Sequence, residues 1–540
     1  MKRIVIIGGV AGGMSTATRL RRVMPDARIT VLERGQHVSF ANCGLPYYAG
    51  GVITERDALL LQTPEALKER FDLDVRVLHE VTSIDRDAKI VRAVDHGSGA
   101  GVDLAYDELV ISTGASPLRP PIPGLERALS LRDVADVDAM VSALDRQPAS
   151  AVVLGGGFIG IEMAENLRHR GVPVTLVEMA DQVMAPFDPE MAVLVADRLE
   201  ENGVTLRLGV KAVAVGADDV ELSDGTRVPG DLVVSALGVR PEDGLARDAG
   251  LDVAERGGVL VDEQHRTNDR SIFAIGDVAV KHDAVSGEGA LVPLAQTANR
   301  HGRLVADVIA GREVTSPPVL GTAIVGAFGL QAASVGWNEK RLVAAGRPHR
   351  VIHTHPMEHA GYYPGASGLA LKLLVDPETD AILGAQAVGE SGADKRIDVI
   401  ATAMRAGMTA SDLADLELAY APQFGSAKDP VNLIGMVADN LKAGERTVQW
   451  HELSDRLVEG AVLVDVRSPE EFAAGAIPGA VNIPVDSLRD ADLPEGDLIV
   501  HCAVGLRGHV AVRALAGRGR NAANLDGGYV TWEAGERSRR

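Results

Sequence analysis

The feature that most constrains this chain is a pattern of strand, glycine turn, helix, strand and terminal acid that occurs twice. In the first copy, the apolar run Lys2–Ile7 enters Gly8-Gly9-Val10-Ala11-Gly12-Gly13, then a helical stretch Met14–Met24 and a strand Arg28–Leu32 that ends in Glu33. In the second, Ala151–Leu154 enters Gly155-Gly156-Gly157-Phe158-Ile159-Gly160, then a helix Ile161–Arg170 and a strand Val174–Val177 that ends in Glu178. Glycines at these positions let the backbone approach a pyrophosphate at the helix N-terminus, and the acid accepts from a ribose hydroxyl. The strict G-x-G-x-x-G spacing holds in the second copy. It is broken in the first, where Val10 takes the middle place, so the first copy alone also fits an ordinary tight turn. Two such units predict two parallel α/β sheets and two dinucleotides. Glu178 favours a free 2′-hydroxyl, hence NADH, with NADPH as the softer alternative.

Length and composition bound the rest. A chain of 540 residues is too long for one ordinary domain and fits roughly three or four. A formal net charge of −21 argues against a nucleic-acid or anionic-membrane binder. No apolar run is long enough to span a bilayer. The start, Met1-Lys2-Arg3 before Ile4–Ile7, has the charge pattern of a signal peptide, but it runs straight into a glycine turn without a cleavage site. A first strand and a cytoplasmic protein are therefore expected. The chain has 2 cysteines, Cys43 and Cys502, too few for a disulfide framework; each reads as a reactive thiol or an inert core residue. No resident metal is expected.

Cys43 lies just beyond the first dinucleotide unit, in Ser39-Phe40-Ala41-Asn42-Cys43-Gly44-Leu45-Pro46-Tyr47. Further on, Leu109-Val110-Ile111 runs into the small-residue turn Ser112-Thr113-Gly114-Ala115, and Val233–Ser235 runs into a matching turn through Gly238. The apolar strand in Thr267–Asp277 delivers Gly276 and Asp277 to a sheet end, where α/β proteins bind ligands. Together these motifs resemble the flavoprotein disulfide reductases that bind two dinucleotides, over residue 1 to about 445. The resemblance implies that the first unit holds FAD and the second NADH. It implies FAD contacts from Gly8, Ala11, Gly12, Glu33, Arg34, Ser112, Thr113, Gly114, Ala115, Gly276, Asp277, Pro293 and Ala295. It implies NADH contacts from Gly155, Gly157, Phe158, Ile159, Gly160, Glu178 and Gly238.

Within that family, a two-cysteine reductase carries C-x-x-x-x-C, whereas Cys43 is followed by Gly44-Leu45-Pro46-Tyr47-Tyr48 with no partner. Such a thiol must make its disulfide or sulfenic acid with something external. The NADH peroxidases and oxidases carry a histidine in the first glycine loop, where this chain has Ala11. The Cys43 motif resembles that of the coenzyme A disulfide reductases and NADH-dependent persulfide reductases. His359-Ala360-Gly361-Tyr362-Tyr363-Pro364-Gly365 and Leu418-Ala419-Tyr420-Ala421-Pro422 resemble the C-terminal half of that subgroup. In those relatives this half forms the dimer interface and brings tyrosines to the other subunit's cysteine. Tyr420 and Tyr362 are the candidates here; Tyr363 fits the second role equally, and core aromatics are the plain alternative. By the same resemblance Arg19, Arg22, Ser39, Asn42, Asn299 and Lys428 line a coenzyme A groove. Phosphates suit Arg and Lys, while the pantetheine arm suits amides and hydroxyls. Arg19 and Arg22 fit the solvated face of the first helix just as well, and Asn299 stands where some relatives have histidine.

After residue 445 the pattern restarts. A strand in Ala461–Arg467 precedes the helix start Ser468-Pro469-Glu470-Glu471, and Asp497–His501 runs into Cys502-Ala503-Val504-Gly505-Leu506-Arg507-Gly508. A thiol in a loop of inward-pointing amides at a helix N-terminus, with Arg507 beside it, sits in an anion cradle. The C-x-x-x-x-R spacing resembles a rhodanese, a sulfurtransferase that carries a persulfide on its cysteine. The expected fold class is α/β, with a discontinuous FAD-binding domain (1–115 and 250–322), an NAD(P)H-binding domain (116–249), an α+β dimerisation domain (323–445) and a rhodanese domain (446–540). The expected function is NADH-linked, FAD-dependent reduction of coenzyme A disulfide, coenzyme A persulfide or polysulfide through Cys43, in a homodimer, with Cys502 carrying sulfane sulfur. An NADH oxidase or peroxidase cycling a sulfenic acid is the alternative, and a sulfur-sensing protein is a third possibility. Whether the rhodanese domain sits in cis, in trans or on a mobile tether is open at this level.

Overall fold

The computed structural model describes residues 1–539 and divides into two compact units. The first comprises Met1–Met179 and Val210–Gly321. Its larger sheet has 5 parallel strands in the order Ile272–Ala274, Glu108–Ile111, Arg3–Ile7, Arg28–Leu32, Asp74–Arg76. The strands are near-continuous apolar runs because both faces are covered. Ile4, Ile6, Ile29 and Val31 pack with Met14, Ala17 and Leu20 of the helix Ala11–Val23, and with Val305 and Ile309 of the helix Ala295–Ile309. Val5, Ile7, Leu109 and Ile111 point the other way, into a second core with Tyr106, Leu251 and Ile272. The chain reverses its strand order at Arg3–Ile7, so the carboxyl ends of that strand and of Glu108–Ile111 frame a crevice.

Within the same unit, Ala151–Leu154 pairs in parallel with Val174–Val177 and Leu232–Ser235. The helix Phe158–His169 follows the first of these strands. A two-stranded antiparallel ribbon, Ala115–Pro117 with Val239–Pro241, ties this inserted domain to the first one.

The second unit comprises Ala180–Gly209 and the chain from Thr322 onward. The segment Ala180–Gly209 thus departs from the 116–249 domain expected around it. The reason is chemical: Asp188 and Glu190, at the start of the helix Pro189–Glu201, are buried against Lys372 of the second unit. This unit has a 5-stranded antiparallel sheet, Ala323–Ala327, Leu330–Gly336, Ile382–Gly389, Leu369–Val375 and Arg350–Thr354, with the helices Ala393–Ala406 and Pro430–Lys442. Its C-terminal part has a parallel sheet of 5 strands, Thr447–Val448, Ala522–Leu525, Leu498–His501, Val462–Asp465 and Val481–Asn482. Among the described residues, no helix is long and apolar enough to cross a membrane. Both cysteines are free thiols.

Candidate active site

The two glycine turns are built alike. Glu33 accepts from the Gly9 amide at 2.8 Å and from the Gly35 amide at 2.7 Å, and Glu178 accepts from the Gly156 amide at 2.7 Å. Each acid therefore closes its own turn beside the first strand. A Cβ on Gly13 would stand 1.9 Å from the Gly8 carbonyl oxygen, and one on Gly160 would stand 1.9 Å from that of Gly155, so only glycine lets each helix start so close to its strand. At Gly157, by contrast, an added Cβ meets no protein atom within 4 Å. This open glycine, at the N-cap of Phe158–His169, leaves the room that a pyrophosphate needs against bare backbone. Ala11 and Phe158 are the first residues of their helices, with Gly12 and Ile159 next, so the free N–H groups of both helix ends face these turns.

Around the first turn, the Ser112 amide continues the sheet by donating to the Ile7 carbonyl at 2.8 Å. Thr113 donates to the Glu242 carbonyl at 2.8 Å, and Gly114 and Ala115 lead into the ribbon closed by Gly238. Arg34 pairs with Glu242 at 3.2 Å. Asp277 sits in the turn Gly276–Val278, where the buried Lys281 donates to the Gly276 carbonyl at 2.5 Å. Burial pushes the Asp277 carboxyl up, against the pull of Lys281, and burial lowers Lys281 to about 8. Pro293 precedes and Ala295 opens the helix Ala295–Ile309. These donors, the acid closing the turn and the open helix ends fit a dinucleotide at each turn.

Cys43 projects from a single 3-10 turn, Asn42–Gly44, that leads into the short helix Leu45–Ala49. Leu45 and Ala49 are fully buried anchors, and the Ala41 amide is tied to the Leu59 carbonyl at 2.8 Å. The thiol itself is exposed, 3.7 Å from the Asn42 side-chain oxygen. Partial burial, with the charges of Glu162 and Asp277, pushes its pKa up. Tyr47, one turn along, donates to Glu162 at 3.3 Å. Burial raises Glu162 to about 7, and burial with the Glu162 charge raises Tyr47 to about 12. Of the residues expected to line a groove, Asn42 lies beside the thiol, and Ser39 lies four residues before it in the same segment. Arg19 is committed to Asp307 at 2.8 Å, and Asn299 meets Ser15 at 2.5 Å. Arg22 is exposed and donates to the Thr18 carbonyl at 3.1 Å.

In the second unit the Tyr362 and Tyr420 hydroxyls meet at 2.9 Å, although 58 residues separate them. Both rings are exposed; Tyr363 is exposed too, but packs edge-on against His359. The loops that carry the pair are held from behind. Arg396, 1% exposed, donates to Asp429 at 3.0 and 3.2 Å and to the Glu358 carbonyl at 2.5 Å. Ala360 donates to the Gly425 carbonyl at 3.0 Å, and Asn432 donates to the carbonyls of Leu413, Ala414 and Leu416. Lys428 is exposed one residue before Asp429. The hydrogen bond shared with Tyr420 pushes the Tyr362 phenol up.

Cys502 is fully buried where the strand Leu498–His501 ends, and the helix Leu506–Gly517 begins after Gly505. Its carbonyl accepts from the Tyr529 amide at 2.8 Å, and that of Ala503 accepts from Val530 at 3.0 Å. Arg507 makes a two-pronged pair with Glu471 at 2.6 and 2.7 Å. That bond, with Arg507's charge, draws Glu471 down to about 2. Arg467 is held by Asp465 at 2.6 Å and lies over the Tyr529 ring at 4.4 Å.

Comparison with known proteins places this geometry. The family model described as pyridine nucleotide-disulphide oxidoreductase matches residues 2–302. The chain belongs to that family. Its dimerisation-domain model matches residues 322–430, and a rhodanese-like domain model matches 449–535. The oxidoreductase is 34% identical to the coenzyme A disulfide reductase of Staphylococcus haemolyticus over 443 residues, which cover 82% of this chain and 100% of that protein. It superposes on reduced Bacillus anthracis CoADR-RHD with a TM-score of 0.98 at 45% identity, covering 100% of this chain and 99% of the other. Against a NAD-dependent persulfide reductase from A. fulgidus the TM-score is 0.92 at 38% identity, covering 98% and 100%.

Sequence reasoning missed several residues of this oxidoreductase's two centres. Glu162 and Tyr47 meet only because the Cys43 helix packs on the second fingerprint helix, and Glu471 meets Arg507 across 36 residues. The signal for Glu471 was present, since it closes a capping box with Ser468. Nothing local marked Glu162.

Proposed function

We propose that this protein is a homodimeric, cytoplasmic, NADH-linked flavoprotein that reduces coenzyme A disulfide, coenzyme A persulfide or polysulfide through Cys43, and that Cys502 carries sulfane sulfur. The observation that carries this reading is the lone exposed thiol beside two dinucleotide turns: the only other cysteine is buried in another domain, so the substrate must bring its own sulfur.

The first turn and Asp277 would hold FAD, and the second turn with Glu178 would hold NADH. The chemistry these groups supply when bound is one electron pair per NADH, enough to cleave one S–S bond. The chain's own residues do the rest. Glu162, which burial raises to about 7 and whose charge acts on the thiol, serves as the base for the Cys43 proton as the thiol reacts. The thiolate attacks one sulfur of the substrate and leaves a mixed disulfide, or a persulfide, on Cys43. Tyr420 of the partner subunit, its hydroxyl aligned by Tyr362 of the partner subunit, gives a proton to the departing sulfur. Coenzyme A disulfide, NADH and a proton thus yield two coenzyme A thiols and NAD⁺. Coenzyme A persulfide yields one coenzyme A thiol and hydrogen sulfide. For the coenzyme A phosphates, exposed Arg22 and Lys428 are favoured over Arg19, whose charge Asp307 already neutralises.

The test is anaerobic NADH oxidation with coenzyme A disulfide and coenzyme A persulfide side by side, in wild type, Cys43→Ser and Cys502→Ser. The reading expects turnover with at least one substrate and its loss in Cys43→Ser. An advantage of about tenfold for the persulfide, with sulfide release, would place the enzyme in sulfane-sulfur reduction. Full activity in Cys43→Ser would overturn the reading.

A further inference from the structure

A buried charged cluster joins the rhodanese-like domain to the antiparallel sheet of the second unit. At its centre Lys372, wholly buried, lies 2.5 Å from Glu190, 2.6 Å from Glu339 and 3.0 Å from Asp188. These three acids are close enough to suggest a metal site, but the ammonium stands among them and takes that place. Next to it, His353 of the strand Arg350–Thr354 is bonded through both ring nitrogens: Nδ1 lies 2.7 Å from Asp526, and Nε2 lies 3.0 Å from Glu190. Both partners are carboxylates, which only accept, so both nitrogens must donate and the ring is an imidazolium. The backbone amide of His353 also donates to Asp526, at 3.0 and 3.2 Å.

Asp526 stands at the root of the Cys502 centre. It is followed by Gly527 and Gly528, and then by the Tyr529 and Val530 amides that clamp the carbonyls of Cys502 and Ala503. Gly527 lies at φ +65°, and a Cβ there would come 2.8 Å from the His353 Cβ, so this turn rests directly on the strand that carries His353. Thr531, in the helix after the turn, meets His355 at 2.7 Å.

We propose that His353, a residue outside the rhodanese-like domain, is a positioning residue for Cys502: as an imidazolium held between Asp526 and Glu190 it fixes the Asp526–Tyr529 turn that clamps the Cys502 loop. The proposal rests on the reading of Cys502 as a sulfur carrier. The groups facing His353 are Asp526 after the C-terminal strand, Glu190 of the helix Pro189–Glu201, Lys372 of the neighbouring strand and His355 on its own segment. Burial would lower the His353 pKa, but the bond and charge of Asp526, followed by the bond to Glu190, outweigh it and push it up to about 9. Burial, followed by the His353 charge, holds His355 at about 3, and burial also lowers Lys340, which faces Asp188 and Glu190. A raised folded-state pKa means that the clamp is intact at neutral pH and is lost as pH rises through about 9.

The experiment uses the full chain in a Cys43→Ser background, where Cys502 is the only thiol, and follows its alkylation by iodoacetamide with and without His353→Gln. At about pH 7 the variant is expected to label roughly tenfold faster, and the ratio should fall towards one near pH 10, where the parent has also lost the imidazolium. Thiosulfate-to-cyanide sulfur transfer, measured in parallel with Cys43 intact, should fall by about the same factor in His353→Gln. A labelling ratio within about twofold at neutral pH, or one that is the same at both pH values, would overturn the proposal, because packing alone carries no such pH dependence. Flavin content and the far-ultraviolet circular dichroism spectrum check folding. If His353→Gln fails that check, Asp526→Asn decides by the same ratio. Absent sulfur transfer in the parent, with the labelling ratio as expected, would refute the carrier reading of Cys502 and leave the positioning role standing.

Discussion

Asp429→Asn is the substitution that best separates scaffold from chemistry in the second unit. Asp429 has two roles. It caps the helix Pro430–Lys442 through the Val431 amide at 3.0 Å, in a capping box with Asn432, and it neutralises Arg396 inside the protein. The side chains of Arg396 and Asp429 are 1% and 3% exposed, so solvent cannot take over for the missing carboxylate. Leaving one member of such a pair buried costs about 3–5 kcal/mol. Asn is itself a good N-cap, so the capping role adds only a few tenths of a kcal/mol. The composition supplies the assay. The chain has 3 tryptophans, Trp337, Trp450 and Trp532, and all lie in the second unit. Urea unfolding followed by tryptophan fluorescence therefore reads this unit, while fluorescence of bound flavin would read the first. The expected result is a loss of about 3–5 kcal/mol in the tryptophan transition, with the flavin transition much less affected. Because the same pair holds the backbone of Glu358 and the start of the helix Pro430–Lys442, the Tyr362–Tyr420 contact should loosen, and kcat should fall more than KM rises. Replacing both members together, Arg396→Leu with Asp429→Leu, should recover much of the stability. A loss below about 1 kcal/mol for Asp429→Asn would show that the Arg396 charge is solvated, and the argument for a rigid tyrosine pair would fall with it.

Three further outcomes follow from the geometry. Glu162→Gln removes a negative charge that, after burial, holds the Cys43 thiol up; in a Cys502→Ser background alkylation at neutral pH should quicken several-fold, while reductase turnover loses the limb of its pH profile near about 7, and an unchanged profile would exclude Glu162 as the base. Gly157→Ala, whose Cβ meets no protein atom, should fold with full flavin content yet bind NADH at least about tenfold more weakly, whereas Gly160→Ala should disturb the fold of the inserted domain; equal NADH affinity in Gly157→Ala would refute the pyrophosphate placement. Glu471→Gln breaks a half-exposed pair with Arg507, so the thermal midpoint should barely move, less than about 1 kcal/mol, and sulfur transfer by Cys502 should be the property that changes.

What was legible in the sequence was whatever is encoded within one supersecondary unit. The glycine turns, Glu33, Glu178, the Cys43 turn and the Cys502 loop each lie within a stretch of a few tens of residues, and the spacing itself states the geometry. Even there the edges moved: the first helix begins at Ala11, three residues before the stretch that reads as helical, because small residues in the turn already take helical backbone. The Arg19 side chain, open to either a phosphate or solvent in the sequence, lies against Asp307, an acid in a helix nearly three hundred positions away. The segment Ala180–Gly209 reads as a continuation of the domain around it and joins the other unit instead, since two of its acids answer a buried lysine far along the chain.

Those distant pairs share a character that explains why pattern reading passes over them. Arg396, Lys372 and His353 are charged residues in positions where an apolar one would also satisfy the periodicity of the strand or helix, and they are answered by Asp429, by Asp188, Glu190 and Glu339, and by Asp526. Lys372 sits in Leu369–Val375, every residue of which is buried, and reads as an interruption of an apolar strand. A buried charge without its partner is too costly to persist, so each such interruption implies an opposite charge elsewhere, but not where. The pH response differs accordingly. Lys372 and His353 hold Glu190 well below the usual carboxylate range against the effect of burial, so its contribution to stability is present above about pH 4.5 and lost as pH falls below it. His353 contributes below 6.5 and loses its contribution as pH rises through about 9. The second unit should therefore be most stable in the window between these limits.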